Sequence, residues 1–125
     1  MSKKRRCLDN VTIKHLEREG FQATMVERRI TKIVTKDAFG FGDILAFMPD
    51  RDSLYYGCWL IQVTSHNHHG ERRTKALASE HLLGWLHSKG RFAVLSWNKD
   101  NKPRWEEITV EQATYAAGGP APMPI

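Results

Sequence analysis

The spacing of apolar residues in the first quarter of the chain predicts a helix followed by a strand. Asp9 or Asn10 can cap a helix that runs to Glu19, and Gly20 follows at the position where helices often end. Residues 21–30 carry apolar side chains at alternating positions, which is typical of a strand. We therefore expect one helix and one strand in this part of the chain.

Two runs in the middle of the chain predict two further strands. Residues 43–48 follow a glycine-punctuated segment, residues 39–42, and end at a turn over residues 49–53 that contains Pro, Asp and Ser. Residues 54–64 are the longest strand candidate. Because short connections join antiparallel neighbours, the three predicted strands should form an antiparallel meander.

The second half predicts a helix, two strands and a last short helix. Residues 65–70 are polar and are expected to form a loop, and residues 71–88 follow with helical periodicity that ends at Gly90. Residues 91–97 are apolar on both faces, as a central strand should be, and residues 104–109 predict a short strand. Capping-box spacing then begins a final helix. The order is α-β-β-β-α-β with a small β and α addition, which predicts an α/β or α+β domain with a mixed sheet.

Length and charge narrow the class of protein. The chain has 125 residues, which favours one domain, and its net charge of +5 favours polyanionic partners, nucleic acid first. Cys7 and Cys58 lie far apart in the sequence and are expected to be reduced thiols in a cytoplasmic protein. No apolar run approaches the ~20 residues that span a bilayer, and no apolar segment follows the basic start, so neither a membrane span nor a secretory signal is predicted.

The ends of the chain differ from the middle in composition. Residues 8–115 are expected to form the domain, and residues 116–125, which are rich in Pro, Ala and Gly, a disordered tail. Residues 1–7 are expected to form a flexible basic arm, which can lie along a phosphate backbone or simply be a solvated terminus. Its basic residues are Lys3, Lys4, Arg5 and Arg6.

Three polar residues interrupt the two central strands. Asp43 opens one of them, and Gln62 and Thr64 lie inside the next. Side chains alternate along a strand, so Gln62 and Thr64 should face the same side, where Asp43 can join them from an adjacent strand. Unpaired polar groups are costly in a buried strand, which suggests a site. The alternatives are that Asp43 bonds nearby loop amides and that the other two are satisfied core polar residues.

The same segments carry a resemblance to a known family. The residues that carry the resemblance are Glu27, Phe39-Gly40-Phe41-Gly42-Asp43-Ile44-Leu45-Ala46, Leu60-Ile61-Gln62-Val63-Thr64-Ser65, and Arg72, Arg73 and Lys75. With them, residues 8–100 resemble the restriction-endonuclease-like, or PD-(D/E)xK, nuclease superfamily. Within it they are most similar to Holliday junction resolvases and small phage-encoded nuclease-like proteins. The resemblance implies the restriction-endonuclease-like fold and a metal-dependent endodeoxyribonuclease that hydrolyses DNA, including branched DNA.

The resemblance also implies a metal site. It places Asp43 and Gln62 at the positions that hold Mg²⁺ or Mn²⁺, with the backbone carbonyl of Val63 as a further ligand. Because glutamine is neutral, a second carboxylate is needed, and Glu27 is the first choice, with Glu17 on the first helix the second. Ion pairing of Glu27 with nearby basic residues is the alternative.

One position departs from the family pattern. Thr64 falls where the superfamily has the lysine that positions or activates the attacking water. Lys75, on the following helix, can supply the missing ammonium group, although a helical lysine is commonly just solvated. The departure keeps open a catalytically inactive DNA-binding or accessory protein of DNA repair or recombination, and an interaction module that acts on another protein. A resolvase would also need a homodimer, and no dimer surface is identifiable from the sequence.

A histidine-rich loop follows the third strand. His66, His68 and His69 can be read as Zn²⁺ ligands, but their spacing matches no established zinc signature, and a polar loop is the favoured interpretation. His66 and His68 can still contact phosphate. Arg72 and Arg73, near the start of the next helix, are the stronger candidates for phosphate contacts.

Overall fold

The helices and strands follow each other in an order close to the predicted one. The computed structural model describes residues 8–26, 28–29, 35–36 and 42–119. Its elements are α1 (Leu8–Arg18), β1 (Gln22–Met25), β2 (Arg28–Arg29), β3 (Thr35–Lys36), β4 (Ile44–Met48), β5 (Gly57–Ser65), a 3₁₀ helix (His66–His68), α2 (His69–Leu77), α3 (Leu82–His87), β6 (Arg91–Trp97), β7 (Pro103–Ile108) and α4 (Val110–Ala116).

Five of the strands form one mixed sheet in the order β1-β4-β5-β6-β7, and β2 and β3 form a separate antiparallel pair. Neighbours in the large sheet are antiparallel except β5 and β6, which are parallel. A parallel pair needs a crossover, which α2 and α3 supply. With four α-helices in the described part of the chain, this is the mixed α+β architecture that the sequence predicts.

The sheet has two faces with separate cores. On one face, Trp59, Ile61 and Val63 of β5 pack with Leu16 of α1, and we call this side the α1 face. On the other, the α2 face, Leu60 of β5 belongs to a second core. That core also contains Ala76, Leu82, Phe92, Val94, Ile108 and Ala113. Because successive strand residues point to opposite faces, Gln62 and Thr64 lie on the α2 face.

The end of α1 is built as the sequence predicts. Gly20 has φ +101°, and its N–H donates to the carbonyl of Glu17 at 3.1 Å. The N–H of Phe21 donates to the carbonyl of Leu16 at 2.9 Å, and both of these side chains are buried. This is a Schellman motif, which turns the chain directly from α1 into β1.

The strand predicted over residues 21–30 is wrong in its length. β1 ends at Met25, and the N–H of Val26 still donates to the carbonyl of Asp43 at 2.9 Å. Beyond it the sequence becomes charged, and charged side chains are costly to bury in a sheet. Arg28–Arg29 forms a separate strand and pairs with Thr35–Lys36. No strand was expected at Thr35–Lys36.

The single helix predicted over residues 71–88 is also wrong. Helical structure begins earlier, in the supposed loop, and breaks between α2 and α3. At the break the hydroxyl of Ser79 accepts from the N–H of His81 at 3.3 Å, a local bond that competes with helix continuation. The left-handed residue that follows the helix end, predicted to be Gly90, is Lys89, with φ 74°. Gly90 follows it against Trp85, whose ring leaves no room for a Cβ.

The remaining boundaries are close to those expected. β5 starts at Gly57, which has φ +123°, rather than at Leu54. β6 has the predicted bounds and is buried on both faces. Thr109 and Gln112 form the predicted capping box at the start of α4. Among the helices of the described residues, none is long and apolar enough to cross a membrane.

Candidate functional site

The carboxylate of Asp43 lies at the end of the regular register between β4 and β5. The register between these strands runs from Met48 opposite Gly57 to Ile44 opposite Ile61. One residue further, Asp43 is 5 % exposed, and its Oδ2 accepts from Nε2 of Gln62 at 2.9 Å and from the N–H of Val63 at 3.0 Å. The backbone N–H of Asp43 still donates to the carbonyl of Ile61 at 2.9 Å, and the aspartate side chain extends the contact with β5 to Gln62 and Val63.

A close approach of the two strands positions this carboxylate. Gly42, which precedes Asp43, lies against Leu60, and a Cβ at Gly42 would be 3.0 Å from Cδ2 of Leu60 and 3.1 Å from its Cβ. A larger residue would need Leu60 to move by a few tenths of an ångström. Gly42 is therefore favoured by close contact with β5, and its φ is not in the left-handed region.

The orientation of Gln62 follows from its contact with Asp43. An ionised carboxylate only accepts hydrogen bonds, so the amide must present Nε2 to Asp43 and direct Oε1 elsewhere. The structure thus brings together Asp43, Gln62 and the backbone of Val63, as the sequence pattern suggests. Thr64 lies two residues further along the same face, buried opposite Ser96 of β6.

A second polar group lies on the same face, centred on His69. Nδ1 of His69 is 2.7 Å from Oγ of Ser96, and Nε2 is 2.8 Å from Oε1 of Glu106. Arg73, one turn later in α2, donates from Nε to Oε2 of Glu106 at 2.9 Å. We call these four residues the His69 network. Gln62, Val94 and Glu106 lie side by side across β5, β6 and β7. The His69 network is therefore close to the Asp43–Gln62 pair on the sheet.

The charge of Glu106 determines how His69 is held. Burial raises the pKa of the Glu106 carboxyl, but the hydrogen bonds from His69 and Arg73 and the positive charge of Arg73 outweigh it and hold the pKa below its usual value. An ionised Glu106 accepts from Nε2–H of His69. In the neutral ring Nδ1 is then the acceptor, and the Ser96 hydroxyl donates to it.

The order Ser96, His69, Glu106 is that of a serine hydrolase triad, but its setting excludes that chemistry. Ser96 is 1 % exposed and His69 is 2 % exposed, so no substrate can reach the hydroxyl. The network instead ties the start of α2 to β6 and β7.

This attachment sets the direction of the other basic residues of α2. Successive helix residues are rotated by about 100°, so Arg72 lies on the opposite side of the buried stripe from Arg73. Arg73 reaches β7 through Glu106, so Arg72 lies on the flank of α2 away from β7. Lys75, three residues after Arg72, lies on the same flank. Arg73, predicted as a phosphate contact, is thus bonded to Glu106, and Arg72 and Lys75 lie on the other flank of α2.

Several predicted site residues are not brought to this place. Glu27 and the basic residues Lys3, Lys4, Arg5 and Arg6 lie outside the described residues. Glu17 is exposed on α1, which packs on the α1 face, so it does not join Gln62.

The three histidines of the supposed loop separate. His69 is buried in its network, whereas His66 and His68 are exposed, and His68 pairs with Glu71 at 2.6 Å. His66 lies beside a cavity of about 550 Å³ at the ends of β5 and β6. Within the described ranges no three or more His, Cys, Asp or Glu side chains are grouped to hold a metal ion, which gives the zinc interpretation no support.

The donors at Asp43 nevertheless suit one kind of ion. A carboxylate, an amide oxygen and a backbone carbonyl are hard oxygen ligands, which Mg²⁺ and Mn²⁺ prefer. Proteins commonly hold Mg²⁺ by only one or two carboxylates, with water and substrate phosphate completing the shell. The residues present therefore fit Mg²⁺ bound together with a phosphate group better than a fully protein-enclosed ion.

Sequence reasoning missed Ser96 and Glu106 and treated His69 as part of a loop. The available signal was the alternation of β6, in which Ser96 is the polar residue among apolar neighbours. Comparison of the chain with protein-family models and with curated proteins gives no match.

Proposed function

We propose that this protein is a metal-dependent endodeoxyribonuclease with a restriction-endonuclease-like fold. The observation that carries the proposal is the buried carboxylate of Asp43, held by Gln62 and the Val63 N–H at the end of the β4–β5 register. The strand order supports the fold assignment: an antiparallel β1-β4-β5 unit, a helical crossover and a parallel β6.

Hydrolysis of a phosphodiester requires a nucleophilic hydroxide and neutralisation of charge on the phosphate. A Mg²⁺ ion supplies both when bound, and here Asp43, Oε1 of Gln62 and the Val63 carbonyl would hold it. Glu27 remains the candidate for a second carboxylate, from its place in the sequence alone.

The chain's own cations complete the proposed chemistry. Arg72 on α2 would contact the phosphate, and Lys75 would support the nucleophile from the same flank in place of the family lysine. Thr64 has a hydroxyl that can orient water but carries no positive charge. The net charge of +5 favours a DNA partner, to which the basic arm and His66 and His68 would add contacts. Action on both strands of branched DNA would require two copies of the chain.

The test compares wild type with Asp43→Asn on supercoiled, linear and four-way-junction DNA, with Mg²⁺, Mn²⁺ or EDTA. Asparagine retains the shape and can accept from the Val63 N–H, while Gln62 can rotate its amide to match, so the fold should survive. Cleavage is expected to fall on the order of 100-fold or more, since even outer-shell changes at metal sites cost 10–100-fold. Metal-dependent cleavage that is unchanged in Asp43→Asn would overturn the proposal. Circular dichroism of both proteins is the control for folding.

A second function is favoured by Thr64. A nuclease-fold protein without the lysine would bind DNA without cutting it and would serve as an accessory factor in repair or recombination. Its signature is binding at low salt, no cleavage with either metal, and no effect of Asp43→Asn on affinity.

A further inference from the structure

The α2 face of the sheet is covered unevenly. Buried residues of α2, α3 and α4 pack with those of β5, β6 and β7. On β4, by contrast, burial alternates: Ile44, Ala46 and Met48 are buried, whereas Leu45 is 39 % and Phe47 is 48 % exposed. Two apolar side chains therefore face solvent beside a covered half of the sheet.

These two residues continue the line of Asp43. Positions 43, 45 and 47 point to the same face, and Leu45 is opposite Leu60 of the α2-face core. At about 3.4 Å per residue, Leu45 lies about 7 Å and Phe47 about 14 Å along the strand from Asp43. Their partners on β1 are Thr24 and Gln22, which are polar and exposed. We call Leu45 and Phe47 the β4 strip.

The size of the strip argues against a second copy of the chain as its occupant. At 48 % exposure Phe47 offers roughly 100 Å² of surface. Leu45 adds a similar or smaller amount, whereas a stable interface buries about 800 Å² per partner. One or two planar groups are a better match to this area.

Charge and spacing favour nucleotides. The chain carries a net charge of +5, and by helix rotation Arg72 and Lys75 lie on the flank of α2 away from β7. Side chains about 7 Å apart are separated by twice the 3.4 Å base step of duplex DNA, so they fit bases that have been pulled apart rather than stacked pairs. Aromatic side chains beside a basic surface are the usual platform for single-stranded nucleic acid.

We propose that the β4 strip contacts the bases of unpaired nucleotides next to the scissile phosphate, with Phe47 stacking on a base. The substrate class is then DNA that offers single-stranded or splayed nucleotides at the Asp43–Gln62 site. This inference rests on the proposed nuclease function of that site.

The experiment measures binding without cleavage. Fluorescence anisotropy in EDTA compares a labelled 15-nucleotide single strand with the duplex of the same sequence, for wild type, Phe47→Ala, Phe47→Leu and Phe47→Trp. Loss of one stacked base should weaken single-strand binding of Phe47→Ala about 5- to 100-fold, with less than about a 2-fold change on duplex. Phe47→Leu should remain weak because it is apolar but not planar, and Phe47→Trp should bind as wild type.

Met25→Ala is the matched control, since Met25 is 41 % exposed on β1 but opposite Ile44, on the α1 face. It should bind both DNAs as wild type. Single-strand affinity of Phe47→Ala equal to wild type, or an equal loss on both DNAs, overturns the inference. So does sedimentation that shows a wild-type dimer, a Phe47→Ala monomer and unchanged single-strand affinity.

The same samples separate this inference from the proposed function. If wild type cuts DNA with Mg²⁺ while Phe47→Ala binds single strands normally, only the strip is wrongly assigned. If wild type neither binds nor cuts any of the DNAs, the nuclease function fails, and the inference fails with it.

Discussion

The two polar groups on the α2 face differ in their place in the sheet and in what lies beside them. In the His69 network, both ring nitrogens of His69 and both oxygens of Glu106 are bonded to other side chains, between α2, β6 and β7. The Asp43–Gln62 pair lies at the end of a strand ladder, next to a half of the sheet where Leu45 and Phe47 are exposed.

The difference teaches how to separate structure from chemistry in a buried polar cluster. In the His69 network the ring nitrogens and the carboxylate oxygens are used to join α2 to β6 and β7, although the order of residues resembles a catalytic triad. The Asp43–Gln62 pair offers oxygen atoms of the type that Mg²⁺ prefers, at the border of the exposed part of the sheet. The first group is therefore expected to affect stability, and the second is the one on which the proposed function depends.

Removal of His69 should have the largest effect on stability. His69→Ala leaves a buried cavity and deprives Ser96 and Glu106 of their partner, which should lower the unfolding free energy by about 2–4 kcal/mol. Urea titration measures this loss. His68→Ala is the control, because His68 is an exposed neighbour whose ion pair with Glu71 is worth under about 1 kcal/mol. A loss below about 1 kcal/mol in His69→Ala would show that the network does not fix α2.

The sequence predicts the outline of the fold because local signals agree along most of the chain. Gly20, the Thr109–Gln112 capping box and the two-faced apolar pattern of β6 each act over a few residues, and the structure has them as expected. The break between α2 and α3 was not predictable from periodicity, because apolar spacing continues through it. It depends on the local bonds of Ser79, which compete with the helix.

The candidate site was predictable only in part. Asp43, Gln62 and Thr64 are visible because polar residues interrupt apolar strands. Glu106 and His69 lie 37 positions apart in the sequence, and neither interrupts an apolar run, so their contact depends on the pairing of β6 with β7 and the docking of α2. Single-residue patterns carry no information about such long-range pairs.

Substitution of Lys75 tests whether its ammonium group takes part in DNA cleavage. If it supplies the ammonium group absent at Thr64, Lys75→Ala should lower cleavage on the order of 100-fold, or about 2.7 kcal/mol of transition-state stabilisation. Thr64→Lys in the same chain should restore part of the rate, because it returns a cation to the proposed site. Lys89→Ala, an exposed lysine after α3, is the matched control. Single-turnover cleavage with Mg²⁺ measures all four proteins, and full activity in Lys75→Ala removes it from the mechanism.

The smallest expected effect is a pH dependence of stability that arises from Glu106. Burial raises the pKa of this carboxyl, but His69 and Arg73 outweigh burial and lower the pKa from its usual 4.5. The unfolded chain therefore binds the proton more readily than the folded one, so the contribution of Glu106 to stability is fully present above the unfolded pKa and is lost as pH falls through the folded pKa. Urea titrations between about pH 3 and pH 6 should show stability declining more steeply below pH 4.5 in wild type than in Glu106→Gln, with Arg73→Met between them. Equal slopes in wild type and Glu106→Gln would mean that the network holds His69 by packing rather than by the charge of Glu106.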